Sequence, residues 1–301
     1  MLENFQSKNQ FVAEFADNIK LSIKREDLIH PTVSGNKFRK LKHNLEEARL
    51  QNKKTLLTFG GAFSNHIAAT AAAGKEFGFK TIGIIRGEEL QQKILENPTL
   101  RFAQDCGMSL NFMSRSDFRR KDSEEFIDGL KSQYEHFYLI PEGGTNNLAV
   151  KGCEEILSQA DFEFDFICCS AGTGGTVSGL INSALAHQKV LAFSALKGDF
   201  LTKEIHKFAK RKNWELMSNY HFGGYAKITE ELIAFINNFK NQFEIPLDPI
   251  YTGKLMFGIL DLISKGHFPR NSRILAIHTG GLQGIAGMNQ RLKQQNKPLI
   301  V

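Results

Sequence analysis

The 301 residues carry 38 Lys and Arg against 32 Asp and Glu, a formal charge of +6, and 42% of them are hydrophobic. Acids are interspersed among the basic residues, so no basic stripe marks a nucleic-acid partner, and the small positive excess suits anionic ligands. The chain is long enough for two domains with a full core, and no apolar run approaches the roughly eighteen residues of a membrane helix. We expect a cytoplasmic protein with neither a nucleic-acid nor a membrane partner.

Met1 to Asn18 is polar and acidic rather than signal-like. Ser34-Gly35-Asn36 is a turn-forming cluster, and Lys37 to Leu50 has helical spacing with Leu41, Leu45 and Ala48 on one face. Lys37 then sits in the first turn of a helix and Lys40 one turn on, on the same side, within reach of a phosphate. From Thr55 onward apolar runs alternate with amphipathic segments. The predicted strands are Leu56 to Phe59, Thr81 to Ile85, Leu110 to Met113, Phe137 to Ile140, Phe166 to Cys169, Leu191 to Ser194 and Arg273 to Ile277. Helices are predicted from Ser64, around Leu100 to Asp105, near Ser123 to Tyr134 and over Val177 to Leu185. Strands alternating with helices predict right-handed βαβ crossovers and parallel sheets, hence a two-sheet α/β protein.

The four cysteines show no metal-ligand spacing, and the nine histidines form no H-x-x-x-H cluster, so no metal is expected. Cys168 and Cys169 are adjacent on a strand and should point to opposite faces as small core residues in a reducing compartment.

Two glycine-rich turns join a strand to a helix. Ser170-Ala171-Gly172-Thr173-Gly174-Gly175-Thr176 exposes successive backbone N–H groups at a positive helix end, which suits a phosphate. A dinucleotide site is the competing reading. Against it, the third glycine is misplaced for G-x-G-x-x-G, and the strand ending near Ala195 presents no acid to hold a ribose. Gly60-Gly61-Ala62-Phe63-Ser64-Asn65-His66 offers a second anion site for a substrate carboxylate at Ser64, Asn65 and His66, or simply a Ser N-cap; one helix end can do both.

The stretch from Arg25-Glu26-Asp27 through Ser34-Gly35-Asn36-Lys37-Phe38-Arg39-Lys40-Leu41 resembles the cofactor-bearing segment of the 1-aminocyclopropane-1-carboxylate (ACC) deaminase and D-cysteine desulfhydrase family. Matches in order follow at Ser64-Asn65, at the loop Ala171 to Thr176, at Phe222-Gly223-Gly224-Tyr225, at Asp248 to Lys254 and at His278-Thr279-Gly280-Gly281. The resemblance implies a tryptophan synthase β-like (fold type II) pyridoxal-phosphate enzyme. Its large domain would be residues 1–41 and 150–301, its small domain 42–149, and a homodimer is implied. It also implies that Lys37 carries the cofactor, that Lys40 and Ala171, Gly172, Thr173, Gly174, Gly175 and Thr176 hold its phosphate, and that Asn65 meets its phenolic oxygen. Ser64 would face the substrate, Tyr251 would lie beside the ring, Thr252 and Thr279 near the pyridine nitrogen and Tyr225 near the substrate. A lysine that is to bond an aldehyde must lose its proton, which burial and neighbouring positive charge favour, and Arg39 and Lys40 are expected to supply that charge. Phe63 and Ala68 depart from the polar residues often found around this motif and are expected to alter the pocket wall.

ACC deaminases typically carry Glu after the tyrosine and Gln after Ser-Asn, whereas this chain has Thr252 and His66 and so resembles the desulfhydrases. Neutral hydroxyls near the pyridine nitrogen make a weaker electron sink than a carboxylate would, which suits departure of a good leaving group such as thiolate from a small amino acid. The reading is β-elimination releasing sulfide, pyruvate and ammonia. The rivals are ACC deamination to 2-oxobutyrate, β-replacement and a non-catalytic pyridoxal-phosphate carrier.

Overall fold

In the computed structural model, which describes residues 5–33 and 35–301, the chain opens with an antiparallel hairpin of β1 (Asn9–Phe15) and β2 (Ile19–Lys24). Helix α1 (Asn36–Leu50) leads into β3 (Thr55–Gly60), α2 (Asn65–Phe77), β4 (Lys80–Arg86), α3 (Pro98–Asp105), β5 (Met108–Met113), α4 (Arg115–Phe118), α5 (Glu124–Gln133), β6 (Phe137–Ile140) and α6 (Asn147–Glu154). There follow β7 (Phe166–Ala171), α7 (Gly175–Ser183), β8 (Lys189–Ser194), α8 (Phe200–His206), β9 (Trp214–Met217), α9 (Glu230–Phe243), α10 (Thr252–Ser264), β10 (Arg273–Ile277) and α11 (Gly284–Gln294). Ser34, part of the expected turn cluster, lies outside the described residues, as do residues 1–4.

Two sheets result, one in the order β1-β2-β10-β7-β8-β9 and one in the order β5-β4-β3-β6. Apart from the β1/β2 hairpin every pairing is parallel. The six-stranded sheet is covered on both faces, which explains its near-continuous apolar strands. On β7, Cys168 belongs to the core beneath α9 and α10, and Cys169 to the core beneath α7, as strand alternation predicts. All four cysteines are free.

The placement of α1 decides where the site forms. Gly35 has φ +60, and a Cβ there would lie 2.0 Å from the Thr279 carbonyl oxygen, so only glycine fits. That carbonyl accepts from the Asn36 N–H at 3.2 Å, fixing the start of α1 against the end of β10. Phe38, Leu41, Leu45 and Ala48 are buried with Leu56, Ala69, Ala72 and Ile140 of the four-stranded unit. Each of the larger side chains contributes about 2 kcal/mol by leaving water. The opposite side of α1 meets α6, and α6 meets α7, through glycines: a Cβ at Gly152 would lie 2.0 Å from the Arg39 carbonyl oxygen and one at Gly179 2.5 Å from Cys153 Cβ. The boundaries expected after residues 41 and 149 therefore fall inside the continuous helices α1 and α6.

Candidate active site

The ends of β7 and β10, the start of α1 and the loop after β3 converge on one cavity. Ala171, Gly172, Thr173, Gly174 and Thr176 line it, whereas Gly175 does not. Gly174 adopts φ +81, turning the chain from β7 into α7. At Gly172 a Cβ would stand 3.1 Å from the Tyr251 ring, and at Gly175 it would stand 2.8 Å from Thr145 and 3.3 Å from Lys40 Nζ. The turn thus leaves no room for side chains where a phosphate would rest on backbone N–H groups. Lys40 is buried behind it and donates to the Gly143 carbonyl (2.9 Å), Thr145 Oγ1 (2.8 Å) and Thr173 Oγ1 (3.3 Å). A fixed cation beside the N-terminus of α7 favours an anion, so these residues suit the phosphate of pyridoxal phosphate.

Lys37 lines the same cavity one turn before Lys40. Its Nζ donates to Asn36 Oδ1 (3.1 Å), while Asn36 Nδ2 donates to Thr176 Oγ1 (2.7 Å), so Asn36 couples the amine to the phosphate turn. Burial first, then the charge of Lys40, brings the Lys37 amine down to about 7, with Asp248 acting in the opposite direction. Arg39 does not share in this, contrary to expectation. Its guanidinium turns away and forms a buried pair with Glu26, both bonds at 3.0 Å, so its charge is neutralised.

Ser64 caps α2, its Oγ accepting from the Ile67 N–H at 3.3 Å, and both Ser64 and Asn65 face the cavity. Asn65 Oδ1 accepts from Gln283 Nε2 at 2.8 Å. His66 is placed differently from expectation. Thr58 gives its single hydroxyl proton to the Ile140 carbonyl (2.8 Å), so it accepts from His66 Nε2 (2.8 Å), and Nδ1 is left as a buried acceptor without a hydrogen-bond partner. Burial first, then Lys37 and Lys40, pushes the imidazole well below its ordinary range, against a smaller opposing effect of the Pro141 carbonyl. A buried neutral ring brings no positive charge to a carboxylate, so the backbone N–H of His66, among the helix's first unpaired donors, is what suits that role. Phe63 is exposed and does not line the cavity; a Cβ at Gly287 would lie 2.6 Å from its ring.

Tyr251 and Tyr225 close the cavity, their rings edge to face with centroids 6.5 Å apart and their phenols hydrogen-bonded. Burial first, then Tyr225 and Asp248, raises the Tyr251 phenol well above 10, so it keeps its proton. Thr279 lines the cavity with its Oγ1 3.5 Å from that of Ser170, whereas Thr252 does not line it. The Thr252 hydroxyl instead accepts from the Asp248 N–H (2.7 Å) and donates to Asp248 Oδ2 (3.1 Å). Asp248 also accepts from the N–H groups of Ile250, Tyr251 and Thr252, which consumes both carboxylate oxygens in starting α10. Among the described residues, no Asp or Glu side chain lines the cavity. Asn36, Gly143 and Ser170 line it without having been singled out from the sequence; the position of Asn36 beside Lys37 was the available signal.

The mitochondrial bifunctional D-cysteine desulfhydrase/1-aminocyclopropane-1-carboxylate deaminase of Arabidopsis thaliana is 32% identical over 297 residues, covering 88% of this chain and 73% of its own. A D-cysteine desulfhydrase of Yersinia pestis is 29% identical over 292 residues, covering 87% and 86%. The crystal structure of an ACC deaminase homologue superposes with a TM-score of 0.83 at 28% identity, over 98% of this chain and 95% of that one. The model of the pyridoxal-phosphate dependent enzymes matches residues 9–280, nearly the whole span that builds both sheets and the cavity, and the chain belongs to that family.

Proposed function

We propose that this protein is a lyase that removes a β-substituent from a small amino acid, with D-cysteine giving sulfide, pyruvate and ammonia. The observation that carries this reading is the cavity lining without a carboxylate, in which the hydroxyls of Ser170 and Thr279 are the groups available at the ends of β7 and β10. Bound pyridoxal phosphate supplies the electron sink for breaking the Cα–H bond. The backbone N–H groups of Gly174 to Thr176, with Lys40 behind them, hold the phosphate. Lys37, with an amine poised near neutrality, takes the proton at Cα. The substrate carboxylate rests at the start of α2 against Ser64 and the N–H groups of Asn65 and His66. Tyr251 and Tyr225, both protonated, bound the side on which the β-substituent leaves. Loss of thiolate needs little help from a charged partner at the ring, which is why a neutral lining favours it over opening a cyclopropane. The relative named for both activities supports ACC deamination as the second reading.

The two sheets support a division into a large and a small domain with the site between them, and the four free cysteines suit a cytoplasmic location. A homodimer rests on the family resemblance. The deciding experiment measures sulfide and pyruvate from D-cysteine against 2-oxobutyrate from ACC at saturating cofactor. Faster turnover of D-cysteine is expected. Faster turnover of ACC would refute the specificity argument, and Lys37→Ala should abolish either activity.

A further inference from the structure

Residues 220–226 have no regular structure, yet they are laid antiparallel along one face of α10. The Tyr220 hydroxyl donates to Asp261 (2.7 Å), and a Cβ at Gly258 would lie 2.8 Å from the Tyr220 ring. Phe222 meets Phe257 edge to face at 4.9 Å. Lys254 Nζ donates to the carbonyls of His221 (2.9 Å) and Gly224 (2.8 Å). Tyr225 then reaches Tyr251, the residue that precedes α10. Within the segment Phe222, Gly223, Gly224 and Ala226 have φ of +53, +90, +115 and +54. For Phe222 and Ala226 this backbone is disfavoured, so it persists only where surrounding contacts hold it.

Lys254 is 2% exposed, and burying an amine without purpose is costly. It stands one turn after Tyr251, on the same face of α10, and binds the carbonyl immediately before Tyr225. We propose that Lys254 is a positioning residue that pins the 221–226 segment and so sets Tyr225 against Tyr251 at the mouth of the cavity. The inference rests on reading Tyr225 as a group that faces the substrate. Lys254 itself does not line the cavity. It acts on turnover only through the tyrosine pair.

The test is a double-mutant cycle in the holoenzyme with Lys254→Met and Tyr225→Phe, read together with amide hydrogen exchange. Lys254→Met should lower kcat about tenfold with the visible absorbance of the cofactor unchanged, and should add less than about twofold once Tyr225 is already Phe. Exchange should quicken over 221–226 and not along α10. Lys254→Gln, which keeps an N–H donor group on a shorter, uncharged side chain, is carried in parallel and should give the same pattern at smaller amplitude, so a methionine variant that fails to fold leaves the cycle measurable. Fully multiplicative losses, or exchange that quickens through α10 as a whole, would overturn the proposal in favour of a role in helix stability. If Tyr225→Phe alone turns over normally, the reading of the site is what fails; unchanged exchange over 221–226 in either Lys254 variant refutes the pin by itself.

Discussion

The charge state of Lys37 offers the sharpest physical test of the site. With the amine brought from 10.5 to about 7, half of Lys37 is neutral at pH 7. An ordinary lysine is neutral there in only about one molecule in three thousand, so the reactive fraction is raised about a thousandfold. Competitive acetylation of the apoprotein across neutral and alkaline pH, followed by peptide mapping, reads this directly with the exposed Lys75 as reference. The labelling midpoint of Lys37 should fall near 7. Lys40→Met should raise it by removing a repulsive charge, but should leave most of the shift, because burial is the larger cause. The same shift has a sign in stability. Between about 7 and 10.5 the unfolded chain binds a proton that the folded chain does not, so the apoprotein gains stability as pH rises through that window. The gain is on the order of a few kcal/mol, discounted because Lys37 is partly exposed to the cavity. A Lys37 midpoint within the ordinary lysine range would refute both the burial argument and the role of Lys37 as the base.

Thr252→Val should cost about 1–2 kcal/mol by stripping hydrogen bonds from buried Asp248, seen as a Tm lower by a few degrees, with the cofactor spectrum and its pH dependence unchanged. A changed spectrum at unchanged Tm would restore Thr252 to the cofactor. Gly175→Val would drive a side chain into Thr145 and toward Lys40 Nζ, so cofactor occupancy should fall, whereas Ser64→Ala should keep the cofactor absorbance, raise KM about tenfold and lower stability by about 1 kcal/mol through the lost helix cap. Loss of cofactor in the serine variant together with normal kinetics on reconstitution would show the two roles to be exchanged.

Much of the architecture is written in local pattern. The strands of the four-stranded sheet and β7, β8 and β10 are apolar runs closed by turn residues, and Ser64 before an alanine-rich segment announces α2. The two edges of the six-stranded sheet, β1 and β9, are less legible because each buries only part of its length. In β1, Phe11 is 60% exposed, and in β9 each of Trp214 to Met217 is half-buried, so neither shows a clean alternation. In the site, the glycine turns were legible because they need no partner elsewhere in the sequence. The destinations of long side chains were not. Arg39 lies beside Lys40 in sequence, yet it is drawn to Glu26, buried and thirteen residues earlier, and a pairing of that kind is decided by tertiary packing.

Thr252 is the more instructive case, because its partner was in plain view. Asp248 stands four residues before it, and an acid there accepts the N–H groups of Ile250, Tyr251 and Thr252 that lead the chain into α10. A hydroxyl at position 252 completes that arrangement and has no free direction toward the cavity. The hydroxyls available as neutral ring partners are instead those of Thr279 and Ser170, which line the cavity at the ends of central strands of the six-stranded sheet. The same sheet explains how a lysine near one end of the sequence meets a glycine turn in its second half. β2 pairs with β10 and β10 with β7, and the Gly35–Thr279 contact then admits the start of α1 to the ends of those strands. Any side chain at position 35 would meet the Thr279 carbonyl and push the start of α1, and Lys37 with it, away from the phosphate turn.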